Sequence, residues 1–238
     1  MNQIPVALRW EGLRRVLWQE RLVLLYVAGT CAAISVVFVV VQAGPEQREF
    51  VDDWLRAYRW RPWGVVSAIF VHFEADHYPA NLGGLVGFLG FLALANWSFE
   101  LAAGRRILFP IGAMFLNAAS ANLLSVLIIP PSSPGSSPFG ASGLVYALIG
   151  ATVGLALLNV PFYWRLMRRV IRNEEDSPRF VRALLATNLF LCSFLLFLLY
   201  PAQFFGVGQS NALGHLVSFV GGLFVTYFYG LRLLELRR

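Results

Sequence analysis

The sequence predicts an all-α polytopic membrane protein, folded as a single domain of six transmembrane helices. Of its 238 residues, 58% are hydrophobic and only 13% are charged, and the mean hydropathy is +0.63. Ordinary soluble domains are far less apolar than this. In addition, the charged residues leave long uncharged windows, each able to hold one or two helices that cross a hydrocarbon core of roughly 30 Å.

The uncharged windows give the order of the six spans. The first window holds a helix over residues 22–43, and the second holds one over 77–99. Each of the two later windows is long enough for two helices, because segments rich in turn-forming residues interrupt them near 130–140 and 200–211. The four remaining predicted spans are 107–129, 140–162, 183–204 and 211–231. We expect little other secondary structure, and we treat residues 1–238 as one domain.

The arginines predict the orientation of the helices in the membrane. All 19 basic residues are arginines. Fifteen of them lie on the side of the membrane that holds both termini and the second and fourth connections, and the four on the opposite side are Arg48, Arg56, Arg59 and Arg61. Cytoplasmic loops carry an excess of arginine and lysine. We therefore expect an integral protein of the cell membrane with both termini in the cytoplasm. Topology and anionic lipid headgroups account for the net charge of +6, so no nucleic-acid partner is expected.

Four polar groups lie at the expected outer ends of three spans. The chain has only three histidines: His72 and His77 lie at the entrance of the second span, and His215 lies near the entrance of the sixth. Ser142 lies at the same end of the fourth span. Polar and ionisable groups are costly in a bilayer and indicate function by default. The topology therefore places all four groups at a similar shallow depth on one side of the membrane.

Helical spacing pairs two of these residues with further polar side chains. His77 and Asn81 are four residues apart, so they share one face of a helix and can act together as hydrogen-bond donors. Ser142 and Tyr146 repeat the same spacing on the fourth span. The tyrosine ring is therefore expected about one turn below the serine hydroxyl.

Small residues recur along the fourth and sixth spans. They are Gly143, Ala147, Gly150 and Gly154 on the fourth, and Gly214, Ser218, Gly221 and Gly222 on the sixth. Such spacing lets two membrane helices approach closely. This contact would bring Ser142 opposite His215. The alternative interpretation is that the glycines serve helix packing alone.

Three motifs together resemble the rhomboid family of intramembrane serine proteases. They are "HFEADHYPAN", "GASGLVYA" and "GHLVSFVGG", which begin at residues 72, 140 and 214. In that family a GxSG serine on the fourth core helix pairs with a histidine on the sixth, and an HxxxxHxxxN segment opens the second. The matching residues here are His72, His77, Asn81, Gly140, Ser142, Gly143 and His215. Two positions differ, because Ser218 and Gly64 stand where the family usually has glycine and arginine.

The resemblance implies a six-helix rhomboid-like bundle that cleaves transmembrane proteins in or near their membrane segments. Ser142 would be the nucleophile and His215 its general base, since neutral imidazole is suited to take the proton of a serine hydroxyl. The backbone N–H of Ser142 and the side chains of His77 and Asn81 would stabilise the oxyanion of the acyl-enzyme pathway. The implied supporting residues are Tyr146, which would stack on the His215 ring, and Gly140, Gly143 and His72.

Three other functions are weighed against this one. The nearest is a catalytically silent rhomboid-like protein that binds membrane-protein clients, but such relatives usually lack the serine or the histidine. A zinc site built from His72, His77 and His215 would lack the HExxH pair. A transporter would place its polar groups near the midplane of the bilayer. We therefore expect a protease that uses neither a metal nor a cofactor, with the lipid bilayer and membrane-protein substrates as its partners.

Overall fold

The computed structural model describes residues 14, 18, 21–61, 63–87, 105–131, 138–172 and 211–235. Within these ranges the regular structure is helical, and the extended pairing is limited to an isolated bridge between Tyr58 and Arg61. The helices are α1 (Arg21–Gln42), α2 (Pro45–Leu55), α3 (Gly64–Ser67) with a following 3-10 turn (Ala68–Phe70), α4 (residues 77–87), α5 (Arg105–Ile128), α6 (Ser142–Ile171) and α7 (Ala212–Glu235).

Five predicted spans overlap helices of the structure. They correspond to α1, α4, α5, α6 and α7, each of which begins within about two residues of the predicted start. The helix α6 begins at Ser142 and continues nine residues beyond the predicted end at 162. The predicted span 183–204 and the later part of the span 77–99 lie outside the described residues.

The two most apolar helices turn their side chains outward. Leu24–Gln42 and Ala212–Tyr229 are long and apolar enough to cross a membrane, and Gly112–Ile128 and Ser142–Gly154 are shorter apolar stretches. Only 22% and 28% of the two longer windows are buried. The core helix of a soluble protein would be mostly buried, so the exposed apolar faces of these two helices agree with contact with lipid.

The expectation of little structure between the first two spans is wrong, because this connection contains α2 and α3. Pro45 occupies the first position of α2 and Glu46 lies in its first turn, and both residue types favour a helix N-terminus. Val51 is buried in a small cluster with Val41 and Phe73. A search for long uncharged windows overlooks such a short amphipathic helix, because its buried face is too narrow to raise the mean hydropathy.

Gly64 at the start of α3 is the glycine found in place of an expected arginine. A Cβ at this position would overlap the carbonyl oxygen of Arg56 and lie 2.9 Å from the Cα of Ala57. Backbone atoms cannot yield as the end of a flexible side chain can. This chain therefore accepts no side chain at position 64, because its first connection folds back against itself there.

The helices α6 and α7 run parallel and contact each other through their backbones. A Cβ at Gly150 would overlap the carbonyl oxygen of Phe219, and a Cβ at Gly222 would overlap that of Ala147. Gly154 makes the same type of contact about one turn further along α6. Van der Waals contact between small residues replaces the hydrophobic drive that is missing between helices in lipid.

The helix α5 runs antiparallel to α7 and is joined to it by two side-chain hydrogen bonds. The Nδ2 group of Asn117 donates to the carbonyl oxygen of Ser218 at 2.7 Å. About two turns further along α5, the Oγ of Ser125 lies 2.7 Å from the Oδ1 of Asn211. Gly221 faces α5, since a Cβ there would overlap the side chain of Asn117.

The helix α1 packs against α4 through one tyrosine. The Tyr78 hydroxyl lies 2.8 Å from the Oγ of Ser35, and the Tyr78 ring stacks on Phe38 with ring centroids 4.1 Å apart. Between the helices lies a buried apolar core that includes Ile34, Leu85, Met114, Leu144 and Leu148. The start of α4, where His77 lies, is thereby fixed to the rest of the bundle.

The close approach of α6 and α7 predicts a strong effect of one methyl group. Gly150→Ala is expected to lower the free energy of unfolding by about 1–3 kcal/mol, because the new Cβ forces the two backbones apart. The matched control is Gly112→Ala on α5, where a Cβ would meet nothing within 4 Å; it should be neutral or stabilising by roughly 0.5–1 kcal/mol. Thermal unfolding in detergent compares the two variants, and equal stability would contradict the backbone contact.

Candidate active site

Ser142 and His215 lie in the first turns of two neighbouring helices. Ser142 is the first residue of α6 and His215 is in the first turn of α7. The Oγ of Ser142 lies 2.9 Å from the Nε2 of His215, and the histidine is buried. In the neutral tautomer with its proton on Nδ1, the imidazole accepts the serine hydroxyl hydrogen at Nε2. This is the geometry that general-base activation of a nucleophile requires.

Tyr146 lies flat against the imidazole of His215. The ring centroids are 4.0 Å apart and the two planes differ by 11°. Tyr146 is one turn after Ser142 on α6, so both residues face α7. The stacked ring limits rotation of the imidazole and so keeps Nε2 directed at the serine.

Gly140 provides the space in front of the serine. Its φ is 93°, in the left-handed region that glycine adopts without strain. A Cβ there would lie 3.3 Å from the Cε1 of His77, and 3.6 Å from both the Nδ2 of Asn81 and the Nε2 of His72. Glycine therefore allows three polar side chains to approach the backbone that leads into Ser142.

Gly143 and Ser218 fit each other across the interface of α6 and α7. A Cβ on Gly143 would lie 3.3 Å from the Ser218 Oγ and 3.5 Å from the Ala118 Cβ. A Cβ at position 143 would therefore be slightly too close to the Ser218 Oγ and in ordinary contact with Ala118. The serine at position 218, where glycine was expected, is accommodated because residue 143 has no side chain.

His72 holds the side chain of Asn81. Its Nε2 lies 2.9 Å from the Nδ2 of Asn81 and accepts the backbone N–H of Ala141 at 3.3 Å. Because Nε2 accepts these hydrogens, the proton of the ring lies on Nδ1, which faces the carbonyl oxygen of Phe70 at 3.5 Å. The amide of Asn81 has a second hydrogen on Nδ2, so it can donate to another acceptor while His72 fixes its orientation.

The environment of His72 keeps its ring neutral. The side chain is fully buried in the connection before α4, and the His77 ring centroid is 5.5 Å away. Burial, and to a smaller extent repulsion from His77, lowers the pKa of His72 from 6.5 to about 4, while the hydrogen bond to Phe70 acts in the opposite direction. A neutral ring is the form that can accept from Asn81 and Ala141.

Among the described residues, no three histidine, cysteine or acidic side chains are arranged to hold a metal ion. The Nε2 of His72 accepts hydrogens from Asn81 and Ala141, and the Nε2 of His215 faces Ser142. Both nitrogens therefore bond to protein groups. The geometry therefore favours the serine and histidine pair over the zinc site weighed from the sequence.

Phe139 forms part of the site that the sequence did not reveal. Its ring packs against Phe73 at a centroid distance of 5.2 Å and against His77 at 6.3 Å. The guanidinium of Arg56 lies 4.7 Å from the centre of the same ring, and Arg56 also pairs with Asp52 at 2.9 Å. The connection that contains α2 thus covers the residues before Ser142. Phe139 lies 83 positions after Arg56 and no motif contains both residues, so no sequence signal links them.

Asn211 is a second residue of the site that sequence reasoning overlooked. Its Oδ1 accepts the backbone N–H of Gly214 at 2.9 Å, directly before His215. An asparagine immediately ahead of an apolar helical segment is a recognised start signal, so this role was available from the sequence.

Comparison with known protein families finds a match to the Rhomboid domain over residues 59–232. This range covers most of the chain and includes Ser142, His215 and the other site residues expected from the sequence, whereas Arg56 and Asp52 lie before it. No curated protein matches the sequence.

The buried neutral His72 predicts a loss of stability in acid. Its pKa of about 4 lies below the ordinary 6.5, so the unfolded chain binds the proton more readily. Above about pH 6.5 the titration of His72 does not change the stability. As the pH drops from about 6.5 to about 4, it lowers the free energy of unfolding by roughly 3 kcal/mol. Thermal unfolding in detergent across this range should show a flatter dependence for His72→Gln than for wild type. Identical slopes would contradict a neutral buried His72.

Proposed function

The chain belongs to the rhomboid family, whose members act on membrane proteins within the bilayer, and on this basis we propose that it is an intramembrane serine endopeptidase. The observation that carries the proposal is the distance of 2.9 Å between the Ser142 Oγ and the His215 Nε2. The substrates would be transmembrane proteins, cut in or near their membrane segments. Apolar outward-facing helices agree with an integral membrane protein.

Acylation begins with the hydroxyl of Ser142. His215 takes the hydroxyl proton on Nε2 while the oxygen attacks the scissile carbonyl carbon, and the imidazolium then gives that proton to the leaving amine. Tyr146 keeps the ring in line during both transfers. The site has two catalytic residues, and no carboxylate is assigned to His215.

The oxyanion would be stabilised by donors that converge on the start of α6. Ser142 is the first residue of this helix, and the first four N–H groups of a helix have no intrahelical acceptor. The side chains of His77 and Asn81 lie beside Gly140, two residues earlier. His72 orients the Asn81 amide beforehand, so little reorganisation is needed when the negative charge develops.

Hydrolysis of the acyl-enzyme needs water at Ser142. The serine is half-buried at the end of the bundle, directly after the polar sequence of residues 130–140. Water that enters from this end does not cross the hydrocarbon layer. From the arginine distribution we propose that this end faces the outside of the cell membrane and that both termini are cytoplasmic. We also propose that residues 1–238 form one rhomboid-like domain of six spans.

The alternative function is that of a catalytically silent rhomboid-like protein that binds membrane-protein clients. Silent members usually lack the serine or the histidine, whereas this chain has both residues in hydrogen-bonding contact. The contact therefore favours the protease.

The proposed dyad predicts covalent labelling by a fluorophosphonate probe. Purified wild-type protein in detergent should be labelled and should cleave a model transmembrane substrate, whereas Ser142→Ala and His215→Ala should do neither, because each removes one half of the proton transfer. Ser120→Ala is the matched control, since this exposed serine on α5 donates to the Leu116 carbonyl oxygen of its own helix at 2.8 Å. Wild type that behaves like Ser142→Ala would establish the silent alternative.

The proposed oxyanion donors predict a loss of kcat with little change in KM. Each of His77→Ala and Asn81→Ala should lower kcat by about 10²- to 10³-fold, because these donors act mainly on charge that exists only in the transition state. Steady-state cleavage of the same substrate measures both constants. An increase in KM with unchanged kcat would instead assign these residues to substrate binding.

A further inference from the structure

We propose that Ser125 and Asn211 are positioning residues that hold His215 at hydrogen-bonding distance from Ser142. The inference rests on the proposed function, because it assigns what keeps the general base in place. Ser125 lies on α5 and Asn211 directly precedes α7. Neither residue touches the serine nucleophile through a described contact, so both would act through the backbone of α7.

Asn211 fixes the first turn of α7. Its Oδ1 accepts the N–H of Gly214 at 2.9 Å, and its main-chain carbonyl accepts the N–H of His215 at 2.9 Å. Asparagine is among the strongest N-cap residues, because its side-chain oxygen satisfies an N–H that has no acceptor within the helix. His215 lies one turn from this cap, so the position of its backbone follows the position of Asn211.

Gly214 leaves the space that the cap occupies. A Cβ at this position would lie 2.7 Å from the Cγ and 2.9 Å from the Oδ1 of Asn211. Any side chain at position 214 would therefore displace the amide. The glycine before His215 is explained by the cap rather than by contact between α6 and α7.

Ser125 joins this cap to α5. Its side chain is fully buried, and its hydroxyl oxygen lies 2.7 Å from the Oδ1 of Asn211 and 2.9 Å from the carbonyl oxygen of Ala121. An amide oxygen can only accept, so the serine hydroxyl is the donor in this pair, and it shares its one hydrogen with the carbonyl oxygen of Ala121. The burial of Ser125 shields its side of the bond from competing water.

A second bond holds α7 to α5 below His215. The Nδ2 of Asn117 donates to the carbonyl oxygen of Ser218, three residues after the histidine. His215 thus lies between two attachments to α5, at residues 211 and 218. Removing the outer attachment frees the turn that carries the imidazole while the inner attachment remains. Misplacement of a catalytic group by about 1 Å can cost on the order of 10²-fold in rate.

The first test compares two serines of the same helix. Ser125→Ala should lower kcat about tenfold or more while KM stays within about twofold, because the substrate still binds but the base is displaced. Ser120→Ala also removes a hydroxyl that donates to a carbonyl oxygen one turn earlier, but it has no link to α7 among the described residues, and it should match wild type. Assays run well below the unfolding temperature of every variant. Wild-type kcat in Ser125→Ala would overturn the inference.

The second test separates coupling from general destabilisation. Asn211→Ala should lower kcat as Ser125→Ala does, and the double variant should lose little more, since the two residues act through one hydrogen bond. Asn211→Asp keeps an acceptor for both Gly214 and Ser125 and should recover most of the lost kcat. These variants also decide the matter if Ser125→Ala does not fold. Fully additive losses, or no recovery in Asn211→Asp, would overturn the inference.

A third measurement keeps the inference independent of catalysis. Amide hydrogen exchange of the first turn of α7 should be about tenfold faster in Ser125→Ala than in Ser120→Ala. If wild type and Ser142→Ala are equally inactive, the proposed function fails, and this comparison alone then decides whether Ser125 and Asn211 position the turn. Equal exchange in the two serine variants would overturn the inference whatever the activity.

Discussion

The backbone contact between α6 and α7 is the constraint on which the rest of the structure depends. Helices in lipid gain little from burying apolar side chains against each other, so their association relies on close van der Waals contact. Gly150 and Gly222 permit that contact by exposing backbone directly to backbone. Because the two helices run parallel and begin at the same end, their first turns meet. The distance between Ser142 and His215 is therefore a consequence of glycines two or more turns away from the site.

Two pairs of polar side chains join different elements of the bundle and set the geometry around the candidate site. The free-energy cost of burying an unpaired polar group is larger than the net contribution that one hydrogen bond makes to the stability of a folded protein. Ser35 with Tyr78 fixes the start of α4, and His72 holds the amide of Asn81. Ser35 and Tyr78 are 43 residues apart in the chain, whereas His72 and Asn81 are nine residues apart. These two pairs thus order the side of the candidate site where His77 and Asn81 lie.

The first connection is a structural part of the site rather than a loop. Arg59 donates to the carbonyl oxygens of Val126 and Leu127 and so satisfies groups at the end of α5 that have no intrahelical donor. Arg56 lies over the ring of Phe139, next to the backbone before the serine. Gly64 allows the connection to fold back on itself. The connection therefore fixes both the end of α5 and the approach to α6.

The sequence by itself determined the helical class, and it predicted where the described helices begin and that Ser142, His215, His77 and Asn81 form one polar group. Long uncharged windows and four-residue spacings are local properties, so they survive without knowledge of the fold. Only the tertiary structure decided what joins these residues. The amphipathic α2 depends on a narrow buried face. The contact of Arg56 with Phe139 and the link from Ser125 to Asn211 each depend on packing between segments that are 80 or more residues apart in the chain. Such contacts leave no periodic trace in a single sequence, because each needs only one compatible residue at each end.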